Sequence, residues 1–303
     1  MPVTAKTVTV DGKEIRISNP DKVLFKEIPL TKWDWIMHLT RLAPYLIPHC
    51  RGRFLTTIRF PDGPDGKSFY QKNAPSHIPD WMPVSESGKI RYMRLEDTAG
   101  LIYLGNLACL EYHLSFDRIT HPDQPSDLVF DIDPSQRGRV GFQQSMETAL
   151  LTRETLRSLG LDGVVKTSGA TGLQIYVPLK RGYTFEETRQ VSRFISQYLT
   201  ERHPHLITVE RMVSKRGTKV YFDYLQHWRG KSLIAPYSPR AREEATVSTP
   251  VHWEELRPSL RPECFTLSTI HRRLARVGDL FAPLLQKRGY TLDEILSFIG
   301  KKG

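Results

Sequence analysis

The sequence predicts an α+β fold, and three observations predict it. Over residues 127–225 the apolar pattern runs strand, helix, strand, strand, helix, strand, the split β-α-β order of an RRM or ferredoxin-like sheet. Ahead of it lies a run of strand signals around one well-capped helix. The chain shows no internal repeat, no low-complexity segment and no linker long enough to separate independent domains, so two closely packed modules are expected. The expected division is an N-terminal α/β module over 1–115, the ferredoxin-like module over 116–245 and a C-terminal helical segment over 246–303 packed on the core.

The 303 residues suffice for a sizeable core. Lys and Arg number 43 against 33 Asp and Glu, and the excess of ten is spread through predicted elements rather than gathered in a tail. Such a surface suits a polyanion, or serves solubility alone. Cys50, Cys109 and Cys264 are odd in number and lack paired spacing, so reduced thiols and no structural zinc are expected. No signal-peptide pattern opens the chain and no eighteen apolar residues run together. A soluble, cytoplasmic protein with no membrane partner is therefore expected.

Taken in order, residues 6–18 alternate around Asp11-Gly12 and read as a hairpin. Thr31 and Asp34 form a capping box for a helix whose end Pro44 and Pro48 are expected to disturb. Lys22 and Lys32 bracket the start of that helix, where an anion would be welcome; taken alone, such lysines are more often solvated surface residues. Phe54–Phe60 reads as a strand and 61–66 as a turn-rich loop. Phe69 and Tyr70 then sit between Lys67 and Lys72, a mix of stacking faces and cations that suits nucleic acid, or is simply a strand with one side buried. The segments 90–101 and 107–114, the second containing His113, cannot be typed by pattern.

Asp127-Leu-Val-Phe-Asp131-Ile-Asp133-Pro134 looks like a strand carrying two acids near its end. Alternation puts Asp131 and Asp133 on one face, roughly 7 Å apart. Two anions held together demand a proton or a cation, unless both merely face water. A helix over 142–159, ending at Gly160, a strand over 163–166, a small-residue turn over 167–172 and a strand over 173–177 follow. That turn frees backbone N–H groups for phosphate, with Ser168 and Thr171 adding hydroxyls, although most such turns bind nothing. Thr184 and Glu187 box a core-packing helix. Residues 207–210 and 219–225 read as strands joined by a basic loop over 214–217, and Asp223 is an acid in a bulky strand that needs a partner. Beyond them a short strand and a helix over 251–256, the run 266–277 and a helix capped at Thr291 are expected.

At these residues the sequence resembles the polymerase domain of bacterial ligase D, within the archaeo-eukaryotic primase superfamily. The resemblance covers almost the whole chain. Asp127–Pro134 resembles its first catalytic motif, Lys166–Pro178 its second and Val220–Gln226 its third. It implies the primase-polymerase fold, with a ferredoxin-like catalytic sheet, and a metal-dependent nucleotidyl transferase that fills gaps and extends ends in non-homologous end joining, favouring ribonucleotides. Asp131, Asp133 and Asp223 are the implied catalytic residues and ligands of two divalent ions, Mn2+ or Mg2+. His113, Ser168, Thr171, Gln174, Arg216, Gln226 and Arg240 are the implied nucleotide contacts. Lys22 and Lys32 fall where the family meets a 5′-phosphate, and Phe69 and Tyr70 where an aromatic pair stacks on template, with Lys72 beside them on DNA.

The implied partners are gapped or broken DNA bearing a 5′-phosphate, NTP or dNTP, a separate DNA ligase and a Ku-type end-binding protein, in a nucleoid-associated setting. Two positions depart from the family's pattern: Gln174 stands where histidine is common and Thr171 where lysine is frequent. No ligase or nuclease motif follows before Gly303, which implies a stand-alone polymerase or part of a longer protein. A de novo primase and a non-catalytic DNA-end-bridging module are the alternatives. A metal-dependent nuclease suits Ser168, Arg216 and Arg240 less well.

Overall fold

The computed structural model describes residues 4–286 and 289–301. The chain divides into two units, each discontinuous in sequence. One holds the residues up to Ser115 with Leu233–Ser248 and Phe265–Gly278; the other holds Phe116–Ser232, Thr249–Cys264 and the residues from Asp279 on. Three consecutive segments do not describe this division, because the return of a distant strand to a sheet leaves no mark in local periodicity. Among the described residues no helix is long and apolar enough to cross a membrane.

In the first unit, strands Ala5–Val10 and Lys13–Ser18 form an antiparallel hairpin. Asp11 and Gly12 turn it at φ of 51° and 72°, the left-handed values that an Asp-Gly pair tolerates. Thr31 caps helix Lys32–Cys50: its Oγ1 accepts the Asp34 N–H at 3.1 Å, and Asp34 Oδ2 accepts the Thr31 N–H at 3.0 Å. Pro44 and Pro48 do not disturb that helix, which runs through both to Cys50. Leu39, Leu42, Leu46 and Ile47 are all buried along it, and that packing offsets the missing backbone bonds. A four-stranded sheet follows in the order Ser232–Ile234, Cys109–Ser115, Leu55–Arg59, Phe69–Gln71. The untyped stretch before Cys109 contains helix Thr98–Asn106, capped by Asp97, which accepts the Gly100 N–H at 2.8 Å.

The second unit carries a six-stranded sheet in the order Ile207–Thr208, Val220–Phe222, Asp127–Pro134, Leu173–Pro178, Val164–Thr167, Pro250–Val251. Its pairs are antiparallel except the first, which is parallel. Helices Gly138–Ser158 and Phe185–Arg202 both pack against Asp127–Pro134. Leu128, Phe130 and Ile132 are fully buried on one face of that strand, where Phe130 meets Phe222 at 5.5 Å between ring centroids. The acids occupy the alternate positions.

Several expected elements differ in extent. The strand expected over 219–225 stops at Phe222, because Asp223 accepts the N–H groups of Leu225 and Gln226 at 3.1 and 3.0 Å and turns the chain. The strand expected over 207–210 covers Ile207–Thr208, and the helix expected over 251–256 is a single 3₁₀ turn, Trp253–Glu255. Thr291 does not cap the last helix, Asp293–Gly300. A tertiary cap does so instead: Tyr183 Oη accepts the Leu292 N–H at 2.7 Å and donates to Asp293 at 2.6 Å.

His227 lies in the core of this unit between Phe116 and Phe185, with ring centroids 4.8 and 5.6 Å away. Burial drives its pKa down to about 3. An unfolded histidine binds a proton near pH 6.5, so between those values the unfolded chain holds more protons and stability falls as pH falls. Melting temperatures measured from pH 7 to pH 4 are expected to drop in the native chain and to drop less steeply in His227→Phe. Equal slopes would remove His227 as the cause.

Candidate active site

Directly opposed residues of an antiparallel pair project to the same side of a sheet. Asp131 lies opposite Gln174, and Gln174 opposite Lys166. Asp133 lies opposite Tyr221, two residues before Asp223, whose N–H donates to the Asp131 carbonyl at 2.9 Å. The register therefore gathers Asp131, Asp133 and Asp223 on one sheet face, with Lys166, Gln174 and Tyr221 beside them. A Cβ on Gly172 would stand 2.2 Å from the Ile132 carbonyl oxygen and 3.1 Å from Asp133 Oδ1. Only glycine lets the 167–172 turn approach the carboxylate strand this closely.

Asp131 is only 8% exposed, and its Oδ1 accepts from Gln174 Nε2 at 2.9 Å. Burial, then the Asp133 and Asp223 charges, push its carboxyl well above the ordinary carboxylate range; the Gln174 hydrogen bond and Lys166 pull the other way without prevailing. A carboxylate so placed calls for a proton or a cation. Three hard oxygen donors fit a divalent ion in charge and in type. Among the described residues, no three His, Cys, Asp or Glu side chains converge into a finished metal cage.

The neighbouring residues are held in place by named bonds. Ser168 Oγ accepts the N–H groups of Ala170 and Gly172, each at 3.1 Å, which closes the turn and leaves the hydroxyl proton to donate elsewhere. Thr171 is half-buried in the same turn. Arg216 donates to the carbonyls of Glu210 and Arg211 at 2.9 and 2.8 Å, and its guanidinium lies 3.7 Å from the centre of the Tyr221 ring. Gln226 donates from Nε2 to the Ser232 carbonyl at 3.0 Å. Lys166 and Tyr221 were not singled out from the sequence; each stands on a strand two residues before an expected site residue, Ser168 and Asp223.

In the first unit, His113 and Arg240 meet at Glu111. His113 Nε2 lies 3.0 Å and Arg240 Nη1 3.3 Å from Glu111 Oε2, while Oε1 accepts the Ala241 N–H at 3.1 Å. Burial raises the Glu111 pKa, but His113, Arg240 and the Ala241 amide outweigh it and hold the carboxylate below its usual range. Sequence reading missed Glu111, although it stands two residues before His113 and so shares its face of the strand.

The same unit holds a second cationic group. Lys22 Nζ donates to Asp62 Oδ1 and to the Pro61 carbonyl, both at 2.7 Å. Lys32, on the first turn of its helix, is 6% exposed and donates to the Ser18 carbonyl at 2.6 Å. Burial, helped by the charges of Lys22 and Arg59, lowers its pKa to about 8. Phe69 and Tyr70 are 45% and 73% exposed. Phe69 pairs with Arg59, whose guanidinium lies 5.1 Å from its ring centre, and the same arginine's charge acts on Lys32. Arg59 was also missed; only the strand register reveals it. Lys72 follows the aromatic pair and is half-buried.

The fold is α+β, with Asp131 and Asp133 on one strand of a mixed sheet and Asp223 directly after the end of its antiparallel neighbour, beside a glycine turn. The chain belongs to the family described as LigD, primase-polymerase domain, whose model matches residues 31–281. It is 36% identical over 269 residues to the bifunctional non-homologous end joining protein LigD of Bacillus subtilis, and 33% identical over 279 residues to the multifunctional LigD of Mycolicibacterium smegmatis. These matches cover 88% and 90% of this chain but 44% and 36% of the relatives, so the chain spans less than half the length of either. In three dimensions it is similar to the polymerase domain of Mycobacterium tuberculosis ligase D, solved in complex with DNA, with a TM-score of 0.83 and 31% identity over 89% of this chain and 98% of that one.

Proposed function

We propose that this chain is a template-directed nucleotidyl transferase that fills short gaps and extends ends during non-homologous end joining, with ribonucleotides preferred. The observation that carries the reading is Asp131, buried on the face it shares with Asp133 and Asp223 and pressed toward a cation by both. Asp131, Asp133 and Asp223 would hold two divalent ions, Mn2+ or Mg2+. Bound there, such ions supply Lewis-acid stabilisation of phosphoryl oxygens and activation of an attacking hydroxyl.

The chain's own residues do the rest. Gln174 orients Asp131 through its amide. Ser168 keeps a proton to donate to a phosphate oxygen, and Arg216 and Lys231 are cations that offer charge-assisted bonds to a triphosphate. Thr171, Gln226, His113 and Arg240 are the remaining residues proposed to contact nucleotide. Glu111 Oε2 lies within ion-pair distance of both His113 and Arg240. Lys22 and Lys32 take the 5′-phosphate, while Phe69, Tyr70 and Lys72 take template DNA by stacking and charge. A DNA ligase activity and a Ku-type end-binding protein are the partners this role would use.

Gapped duplexes with and without a 5′-phosphate, offered Mn2+ and either NTP or dNTP, test the reading. Templated incorporation is expected, greater with the phosphate and with NTP. No incorporation on any of these substrates would overturn it.

A further inference from the structure

We propose that Tyr221 is a positioning residue that sets both the phosphate-gripping guanidinium of Arg216 and the metal-facing carboxylate of Asp223, an inference that rests on the function proposed above. Tyr221 is 5% exposed and stands between the two groups on the strand Val220–Phe222. The guanidinium of Arg216 lies 3.7 Å from its ring centre, a cation held against an aromatic face. Carbonyl bonds to Glu210 and Arg211 fix two of the guanidinium nitrogens, so the ring completes a socket that leaves little freedom to the head group.

The hydroxyl at the other end of the same ring donates to Asp223 Oδ1 at 3.0 Å. That oxygen already accepts the N–H groups of Leu225 and Gln226 at 3.1 and 3.0 Å. Three donors saturate Oδ1 and pin the carboxyl torsion, so cation ligation falls to Oδ2. Tyr221 also lies directly opposite Asp133, which places its ring beside two of the three acids. One rigid side chain thus ties the residue that meets the triphosphate to a residue that meets the cation. The face of the ring serves one and its hydroxyl the other.

Two substitutions separate these roles. Tyr221→Phe keeps the ring and removes the hydroxyl; Tyr221→Leu removes both. Free Mn2+ is followed by electron paramagnetic resonance without nucleotide, and a fluorescent NTP by anisotropy without metal. Tyr221→Phe is expected to weaken Mn2+ binding about tenfold while NTP binding stays within about twofold. Tyr221→Leu is expected to weaken both, and Arg216→Lys to weaken NTP binding alone.

Thermal melts of each variant confirm that a folded protein is measured. The proposal is overturned if Tyr221→Phe binds Mn2+ as the native chain does, or if it weakens both ligands equally. Asp131→Asn in the same Mn2+ titration distinguishes the two levels of inference. If that variant binds Mn2+ normally the proposed function itself fails; if it loses Mn2+ while Tyr221→Phe keeps it, only the role of Tyr221 fails.

Discussion

Asp131→Asn is expected to lower templated nucleotide incorporation by about 10³-fold or more, equivalent to roughly 4 kcal/mol of transition-state stabilisation, while leaving the protein folded. The size follows from position. Asp131 is the buried member of the acid group, and a neutral amide there removes both the negative charge and an anionic oxygen donor. The same substitution relieves the metal-free protein of a carboxyl held among two other acids, so its melting temperature without metal should not fall. Added Mn2+ should raise the melting temperature of the native chain and not that of the variant, because a ligand stabilises only the state that binds it. Retained incorporation in Asp131→Asn would sink the polymerase reading, and a non-catalytic end-bridging role would then account for the chain.

The second large effect concerns Lys32. Removing its charge in Lys32→Met is expected to abolish preference for a 5′-phosphorylated gap, a loss of about 10–100-fold in relative affinity for a charge-assisted contact. Its pKa of about 8 adds a pH signature. Below pH 8 the ammonium carries its charge; as pH rises from 7 to 9 the free protein loses it, so the preference should decline over that range. Lys32→Arg, charged throughout, should keep the preference at pH 9.

Stability runs in the opposite sense. An unfolded lysine titrates near 10.5, so from pH 8 to 10.5 the unfolded chain binds more protons and folding strengthens as pH rises. A phosphate preference that is flat with pH in the native chain would remove Lys32 from that contact.

Much of the chain was legible because the relevant physics is local. The capping boxes of Thr31 with Asp34 and of Thr184 with Glu187 form as their spacing demands. The Asp11-Gly12 turn and the order of elements over 127–225 were equally plain. Where reading failed, a distant group had intervened. Pro44 and Pro48 sit inside a helix that core packing sustains, and the last helix is capped by Tyr183 from more than a hundred residues away.

The candidate site divides along the same line. By itself the sequence determined that Asp131 and Asp133 share a strand face and that a glycine turn with Ser168 follows, since alternation and turn preference act over a few residues. Tertiary structure alone decided that Gln174 would bond Asp131, that Tyr221 would reach both Arg216 and Asp223, and that Glu111 would hold His113 and Arg240. Those contacts depend on which strands pair and in what register. A shift of one residue sends every side chain to the other face, and that choice is made by the burial of the whole sheet rather than by any short stretch of it.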